Sequence, residues 1–121
     1  MSPVFEFRGV TKRFGGHLAL DDVSFAGKPG QVIALLGENG AGKTTSIKLL
    51  LGLLEPDAGS TRVLGLESRY QGTEIRRRIG YVPDRPALYE WMTVHEVGWF
   101  AAGFYPLGYQ ERYLDLVRQF Q

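Results

Sequence analysis

The sequence contains no cysteine, and this absence excludes disulfide bonds, thiol nucleophiles and thiolate metal sites. It also lacks an excess of charge, since the net charge of +1 indicates no surface for nucleic acid or for a membrane. Long apolar runs are missing too, because VIALL and LLLGLL fall far short of the ~20 residues that span a bilayer. The start, MSPVFEFRG, has no signal-peptide pattern. We expect a soluble chain that meets a membrane only through a partner.

With 121 residues, 44% of them hydrophobic and 22% charged, the chain has the composition of one small globular domain. Residues 4–7 and 10–14 have the pattern of strands, with a bend or bulge predicted at Gly9, and residues 18–25 are expected to pair back on them as an antiparallel layer. Residues 31–36 are almost wholly apolar, which predicts a strand buried on both faces of a parallel sheet.

The remaining chain alternates between helix and strand signals. A helix is predicted over residues 43–54, with Ile47, Leu50, Leu51 and Leu54 on one stripe. Short strands are predicted at 62–64 and 79–82, with a short polar helix or turn at 73–78 between them. Thr93 and Glu96 form a capping-box pattern that predicts a helix, and a last amphipathic helix is expected over residues 110–120.

The stretch GENGAGKTT, residues 37–45, matches the phosphate-loop pattern G-x4-G-K-[ST] in full. Glycines let backbone N–H groups turn toward phosphate oxygens, and the following helix directs its positive dipole end at the same anion. Lysine contributes an ammonium to the β- and γ-phosphates, and the next threonine offers a hydroxyl to Mg²⁺. The predicted nucleotide-binding residues of the loop are Gly37, Glu38, Asn39, Gly40, Ala41, Gly42, Lys43, Thr44 and Thr45.

Other nucleotide-binding classes fit less well. The stretch GENGAG lacks the G-x-G-x-x-G spacing of dinucleotide folds, and no acidic residue ends a following strand at the right distance. A guanine-reading N-K-x-D segment is also missing, which argues against a GTPase. The two histidines, His17 and His95, are isolated, and we interpret both as structural or surface residues.

The segments VTKRFGGHLALDDVSF, GQVIALLGENGAGKTTSIKLLLGLLEPDAGSTRVLG and RRRIGYVPD resemble the first half of an ABC-transporter ATPase subunit. The resemblance covers nearly the whole chain. It implies an α/β fold with a partial P-loop NTPase core, an antiparallel β layer at about residues 1–30, the P-loop core at 31–84 and the start of a helical subdomain at 85–121. It also implies ATP and Mg²⁺ as cofactors, a transmembrane permease and a second ATPase subunit as partners, and a cytoplasmic place at the inner face of a membrane.

The same resemblance suggests roles for residues outside the loop. Phe14 stands where the family has an adenine-stacking aromatic, although a core strand position is the alternative. Asp84 stands where the family usually has a glutamine that binds Mg²⁺ and water; an aspartate can bind the metal but cannot donate when ionised, and a turn residue is the alternative. Tyr89 and Trp91 are candidates for contact with the permease, or they pack the start of the next helix.

The family's catalytic half is not found in the sequence. The sequence has no LSGGQ-like signature, no apolar run ending in aspartate-glutamate and no switch histidine. Because hydrolysis needs an oriented water as well as phosphate and metal contacts, we expect the chain to be an amino-terminal part that binds ATP without catalytic residues of its own. The intact protein is expected to couple ATP hydrolysis to transport. The alternatives are an ATP-sensing module that does not hydrolyse and a soluble ABC ATPase without a membrane partner.

Overall fold

The computed structural model describes residues 2–38, 42–85 and 88–121, and it divides into a unit over Met1–Gly80 and a unit over Tyr81–Gln121. The first unit contains the strands β1 (Phe5–Phe14), β2 (His17–Gly27), β3 (Ala58–Val63) and β4 (Leu66–Glu67), with the helices α1 (Lys43–Leu50) and α2 (Ser68–Arg78). The second unit contains α3 (Val94–Ala102) and α4 (Tyr109–Gln119).

The strands form one sheet in the order β2-β1-β3-β4, and every pair in it is antiparallel. The predicted β layer is thereby confirmed, as is the predicted bulge, because the register of β1 shifts between Phe7 and Val10 on either side of Gly9. Phe7, Val10 and Leu20 of the sheet form a buried cluster with Leu49 of α1. Burial of Leu49, which is 0% exposed, contributes about 1.5–3 kcal/mol and fixes α1 on the sheet.

The helix α1 is shorter than its sequence predicts. It ends at Leu50, and Gly52 follows with φ at 72°, a left-handed conformation that stops a helix. The predicted apolar stripe is also wrong in part, since Leu49 is buried whereas Ile47 remains 37% exposed. The reason is that the residues after Leu50 leave the helical period, so the face toward the sheet is set by Ser46 and Leu49.

Residues 31–36 do not form the buried parallel strand that their sequence predicts. They have no regular structure, and Val32 and Leu36 are exposed. A strand needs neighbours that complete its ladder of hydrogen bonds, and all ladders in the described chain belong to antiparallel pairs among β1 to β4. The predicted strand at residues 79–82 is likewise absent from the described structure, and Val82 is exposed there.

The second unit begins its first helix as the sequence predicts. Glu96 N donates to Thr93 Oγ1 at 3.2 Å, and Thr93 N donates to the Glu96 carboxylate at 2.9 Å, which completes the capping box. Tyr113 Oη of α4 donates to Val94 O of α3 at 2.6 Å. Burial raises the pKa of Tyr109 above its usual value, and its two neighbouring tyrosines, Tyr105 and Tyr113, raise it further. None of the helices in the described part of the chain combines the length and the hydropathy that a membrane span requires.

Candidate functional site

The phosphate-loop pattern leads directly into α1, as its chemistry requires. Gly42 is the N-cap of the helix, and Lys43 is its first residue. The Lys43 ammonium donates to the carbonyl oxygen of Gly37, at the other end of the loop, over 2.5 Å. Glu38 is exposed. The predicted contacts of Asn39, Gly40 and Ala41 lie outside the described residues.

Gly42 occupies a position that only glycine fits without strain. Its φ is 91°, in the left-handed region, and it is buried. A Cβ built on it would lie 2.7 Å from Ala19 O and 2.9 Å from Leu20 Cδ2. The start of α1 therefore packs closely on β2, which fixes the distance between the helix end and the β1–β2 hairpin.

The first turn of α1 offers backbone donors. The N–H groups of Lys43, Thr44 and Thr45 have no acceptor within the helix, because the first intrahelical bond runs from Ser46 N to Gly42 O at 2.8 Å. Ser46 Oγ donates to the same carbonyl at 2.8 Å. The first turn contains no acidic residue. Free amides, the helix dipole and the lysine together make this end favourable for an anion.

A cleft of about 180 Å³ joins this helix end to the tip of the β1–β2 hairpin. It brings five of the predicted residues together and adds two that the sequence interpretation left out. Its lining consists of Phe14, His17, Ala19, Gly42, Lys43, Thr44 and Thr45. His17 pairs with Phe14 across the hairpin turn. The two glycines between them, Gly15 and Gly16, are the sequence signal from which the position of His17 beside Phe14 could have been predicted.

Phe14 stands at the end of β1, outside the core cluster, and its ring is 45% exposed. The Lys12 Nζ lies 5.4 Å from the ring centroid. Asp57 holds this end of the strand, since its carboxylate accepts from Arg13 N at 2.7 Å and its N–H donates to Thr11 O at 2.9 Å. The exposed ring is therefore carried on a backbone that is anchored on both sides of Lys12.

The described residues contain no cluster of three or more His, Asp or Glu side chains that could hold a metal ion. Thr44 is exposed at the second position of α1 and supplies one oxygen. Magnesium in nucleotide sites takes one or two protein oxygens and completes its octahedron with phosphate and water, so this donor set fits it. Asp84 belongs to the second unit and is exposed there, and its role as a metal ligand stays a prediction.

The second unit presents an aromatic surface around the other two predicted residues. Tyr89 is 55% exposed and Trp91 is 72% exposed, with their ring centroids 5.7 Å apart. Tyr89 also packs edge-on against Phe100 of α3, at 6.2 Å. A cavity of about 280 Å³ lies beside them, and its walls include Leu88, Met92 and Phe104. The two rings thus contact each other and α3 while leaving much of their surface open.

Comparison with known proteins identifies relatives over most of the chain. The model of the ABC transporter family matches residues 20–121. The probable multidrug ABC transporter ATP-binding protein YbhF of Escherichia coli is 40% identical over 86% of this chain and 18% of its own length. The Nod factor export ATP-binding protein I of Burkholderia orbicola is 44% identical over 75% of this chain and 30% of its own. The chain therefore spans less than a third of either relative.

Solved structures agree with the family match. A solved ATP-binding subunit of an ABC transporter superposes with a TM-score of 0.75 at 35% identity, over 87% of this chain and 44% of its own. The ATP-binding cassette MJ0796, solved as a dimer with ADP and Pi, gives a TM-score of 0.78 at 24% identity, over 94% of this chain and 56% of its own. These similarities confirm the predicted α/β fold class with its antiparallel β layer.

Proposed function

The chain belongs to the family of ABC transporter ATP-binding proteins, and on that premise we propose that it binds Mg-ATP in the cleft between the β1–β2 hairpin and the amino end of α1. One observation carries the proposal. The cleft brings the exposed ring of Phe14 together with Lys43 and the free amides of the first helical turn. An aromatic ring suits a nucleobase, and cations with amides suit a polyphosphate.

The triphosphate occupies the helix end in this proposal. Lys43 donates to a neutral carbonyl, that of Gly37, in the structure described here. A phosphate oxygen is a charged acceptor and forms a stronger hydrogen bond than a neutral carbonyl does. We expect the ammonium to exchange Gly37 for the β- and γ-phosphates, while the backbone donors of the loop and of Thr44 and Thr45 hold the remaining oxygens.

The base stacks on Phe14 in the same proposal. Stacking uses the face of the ring, so a phenylalanine serves without a hydroxyl. His17 lies beside it in the cleft and adds a polar edge near the ribose or the first phosphate. Lys12 over the ring adds positive charge on the side of the hairpin, where it also lies 3.8 Å from Asp57.

Magnesium would be held through the hydroxyl of Thr44, with Asp84 as the second protein ligand. The ion supplies neutralisation of phosphate charge when it is bound. Thr44 lines the cleft from the first turn of α1, and its backbone N–H has no acceptor within the helix. A carboxylate such as that of Asp84 offers two acceptor oxygens and no N–H donor, so it suits the metal better than it suits the positioning of a water molecule.

For the whole protein, we propose that ATP binding and hydrolysis drive transport. Residues 1–30 would form the antiparallel layer, 31–84 the nucleotide core and 85–121 the start of a helical subdomain. Tyr89 and Trp91 would contact a transmembrane permease at the inner face of a membrane, and a second ATPase subunit would complete the nucleotide interface. The names of two relatives, which refer to multidrug transport and Nod factor export, support a transport role.

Calorimetric titration with Mg-ATP and Mg-GTP tests the site. We expect saturable ATP binding that Lys43→Ala weakens by about 10- to 150-fold, since a charged hydrogen bond contributes ~1.5–3 kcal/mol. Lys28→Ala is the matched control, because Lys28 is an exposed lysine of the same unit outside the cleft. Equal affinity of wild type and Lys43→Ala would remove the phosphate site from the proposal.

A phosphate-release assay on the same samples separates the candidate functions. ATP binding without release agrees with a nucleotide site that needs further groups for hydrolysis. Release that Lys43→Ala abolishes would show that a base is present in this chain and would contradict the expectation that it is catalytically incomplete. An ATP-sensing role would be favoured if the whole protein also bound ATP without release.

A further inference from the structure

The carboxyl end of α1 has an unusually complete set of hydrogen bonds. A helix leaves its last four carbonyl groups without donor partners inside the helix, and in α1 these belong to Lys48, Leu49, Leu50 and the C-cap residue Leu51. Here Leu53 N donates to Lys48 O at 2.9 Å, and Gly52 N donates to Leu49 O at 3.1 Å. This pair of bonds, with Gly52 in the left-handed conformation, is a Schellman motif, and it completes the first two of the four carbonyls.

Three side chains from outside the helix donate to its last three carbonyls. They are Thr61 Oγ1 to Leu49 O at 3.1 Å, Ser68 Oγ to Leu50 O at 3.0 Å and Arg76 Nη1 to Leu51 O at 2.6 Å. Thr61 belongs to β3, whereas Ser68 and Arg76 belong to α2. Thr61 and Ser68 are 3% and 1% exposed. We call these three side chains the C-terminal clamp.

Two glycines allow the end of α1 to pack closely on α2, and one of them makes room for the arginine. A Cβ on Gly52 would lie 2.5 Å from Ser68 O and 2.8 Å from Gly72 Cα, so the end of α1 touches the backbone of α2. A Cβ on Gly72 would lie 2.9 Å from Arg76 Nη1 and 3.3 Å from Leu51 O. The guanidinium therefore occupies a slot that any larger side chain at residue 72 would fill.

We propose that the C-terminal clamp positions the phosphate-binding end of α1. The inference rests on the proposed function, since it concerns the same site. α1 has eight residues, a rigid element of only about 12 Å. Its amino end is fixed by Gly42 against β2, and its carboxyl end by hydrogen bonds to β3 and α2. A tilt or slide at the carboxyl end moves the free amides of Lys43, Thr44 and Thr45 relative to the hairpin that carries Phe14.

Arg76 is a positioning residue in this proposal, because it acts through α1 and lies outside the cleft. Its positive charge also suits the negative end of the helix dipole. Arg77, the next residue, is the natural contrast. Its side chain is 67% exposed and lies 3.8 Å from Glu74, so it carries the same charge on the same helix with an ion-pair partner on the surface.

The experiment compares ATP affinity with stability in four variants. Arg76→Ala removes the hydrogen bond to Leu51 O, and Gly72→Ala displaces the guanidinium while leaving the arginine in place. We expect both to weaken Mg-ATP binding by about two- to thirtyfold, the range for residues that act through a packed network. Arg76→Lys retains the charge and one donor and is expected to recover part of the affinity. Arg77→Ala is expected to bind ATP as the wild type does.

A second control distinguishes the proposed positioning role from a purely structural role. Val63→Ala creates a cavity at a buried position of β3 that lies outside the core cluster containing Leu49. Affinities are measured at a temperature where far-ultraviolet circular dichroism shows every variant to be folded. If Arg76→Ala and Val63→Ala lower the melting temperature alike and both leave ATP affinity unchanged, the clamp is structural only and the proposal is wrong.

The two proposals fail in different ways. ATP affinity that Lys43→Ala leaves unchanged overturns the proposed function and, with it, the positioning role. ATP affinity that depends on Lys43 but not on Arg76 or Gly72 overturns the positioning role alone. An effect of Arg77→Ala as large as that of Arg76→Ala would mean that positive charge on α2, rather than the hydrogen bond to Leu51, controls affinity, and it would also overturn the clamp.

Discussion

At the amino end of α1, the N–H groups of Lys43, Thr44 and Thr45 have no acceptor within the helix, whereas at the carboxyl end each of the last four carbonyls accepts a hydrogen bond from elsewhere in the first unit. The same rule of helix geometry leaves groups without partners at both ends. The protein completes one end with its own donors and leaves the other facing a cleft. At the end whose backbone groups have no partners in the fold, a ligand can contribute binding energy by hydrogen bonding to them. At the end whose groups are all hydrogen-bonded, the same bonds make the helix rigid.

The two ends also differ in how they tolerate a change of residue. At the amino end, the tightly constrained position is the backbone of Gly42, and Thr44 near it is exposed. At the carboxyl end, the constraint lies in side chains, and two of them, Thr61 and Ser68, are buried. Substitutions at the two ends should therefore separate loss of ligand binding from loss of stability, and the following three predictions use that difference, from the largest expected effect to the smallest.

Gly42→Ala is expected to lower the free energy of unfolding by about 2–5 kcal/mol, from left-handed strain together with overpacking. The new Cβ would lie 2.7 Å from Ala19 O, a backbone atom that cannot move without disturbing β2. Gly65→Ala is the matched control, because Gly65 has φ at 79° but nothing within 4 Å of its Cβ. Chemical denaturation measures both. Equal losses would mean that strain alone acts at Gly42 and that the helix end is free to move from the hairpin.

Ser68→Ala is expected to lower the free energy of unfolding by about 1–3 kcal/mol, because it leaves the part-buried Leu50 O without its donor among the described residues. Thr61→Val keeps the shape of the side chain and is expected to lower the free energy of unfolding by about 1 kcal/mol or less, because Leu49 O retains the hydrogen bond from Gly52 N. The comparison is made by urea denaturation of the two variants. A larger loss of stability for Thr61→Val than for Ser68→Ala would show that the hydrogen bond from Gly52 N to Leu49 O does not compensate for the missing hydroxyl.

The local features of the chain could be predicted from its sequence because their signals lie within a few residues. The phosphate loop leads into a helix at Lys43, the bulge falls at Gly9 and the capping box joins Thr93 to Glu96, as expected. The failed strand at residues 31–36 shows the limit. An apolar run indicates that a segment favours burial. Whether neighbouring strands are available to pair with it depends on other parts of the fold, and within the described residues no strand pairs with residues 31–36.

The C-terminal clamp could not be predicted, for a physical reason of the same kind. Its donors stand 12, 18 and 25 residues from the carbonyls they bind. No sequence pattern around a serine, a threonine or an arginine indicates which distant carbonyl the side chain will bind. Arg76 also lies in a run of three arginines, a pattern typical of a solvent-exposed helix face. His17 was missed differently, since its signal, the turn that sets it opposite Phe14, was present and was not used.

Phe14→Ala is expected to have the smallest effect of the three, a loss of ATP affinity of about two- to tenfold, because an aromatic stacking contact contributes about 0.5–1.5 kcal/mol. The same variant should bind inorganic triphosphate as the wild type does, since the ring contacts the base and not the phosphates. Tyr70→Ala is the matched control, because Tyr70 is also an exposed ring with a cation over it, Arg69 at 5.5 Å, but lies outside the cleft. Calorimetric titration of both variants with both ligands gives the comparison. Equal losses for ATP and triphosphate at Phe14 would mean that the ring supports the phosphate end through the hairpin, and the amino end of α1 would then depend on packing as its carboxyl end does.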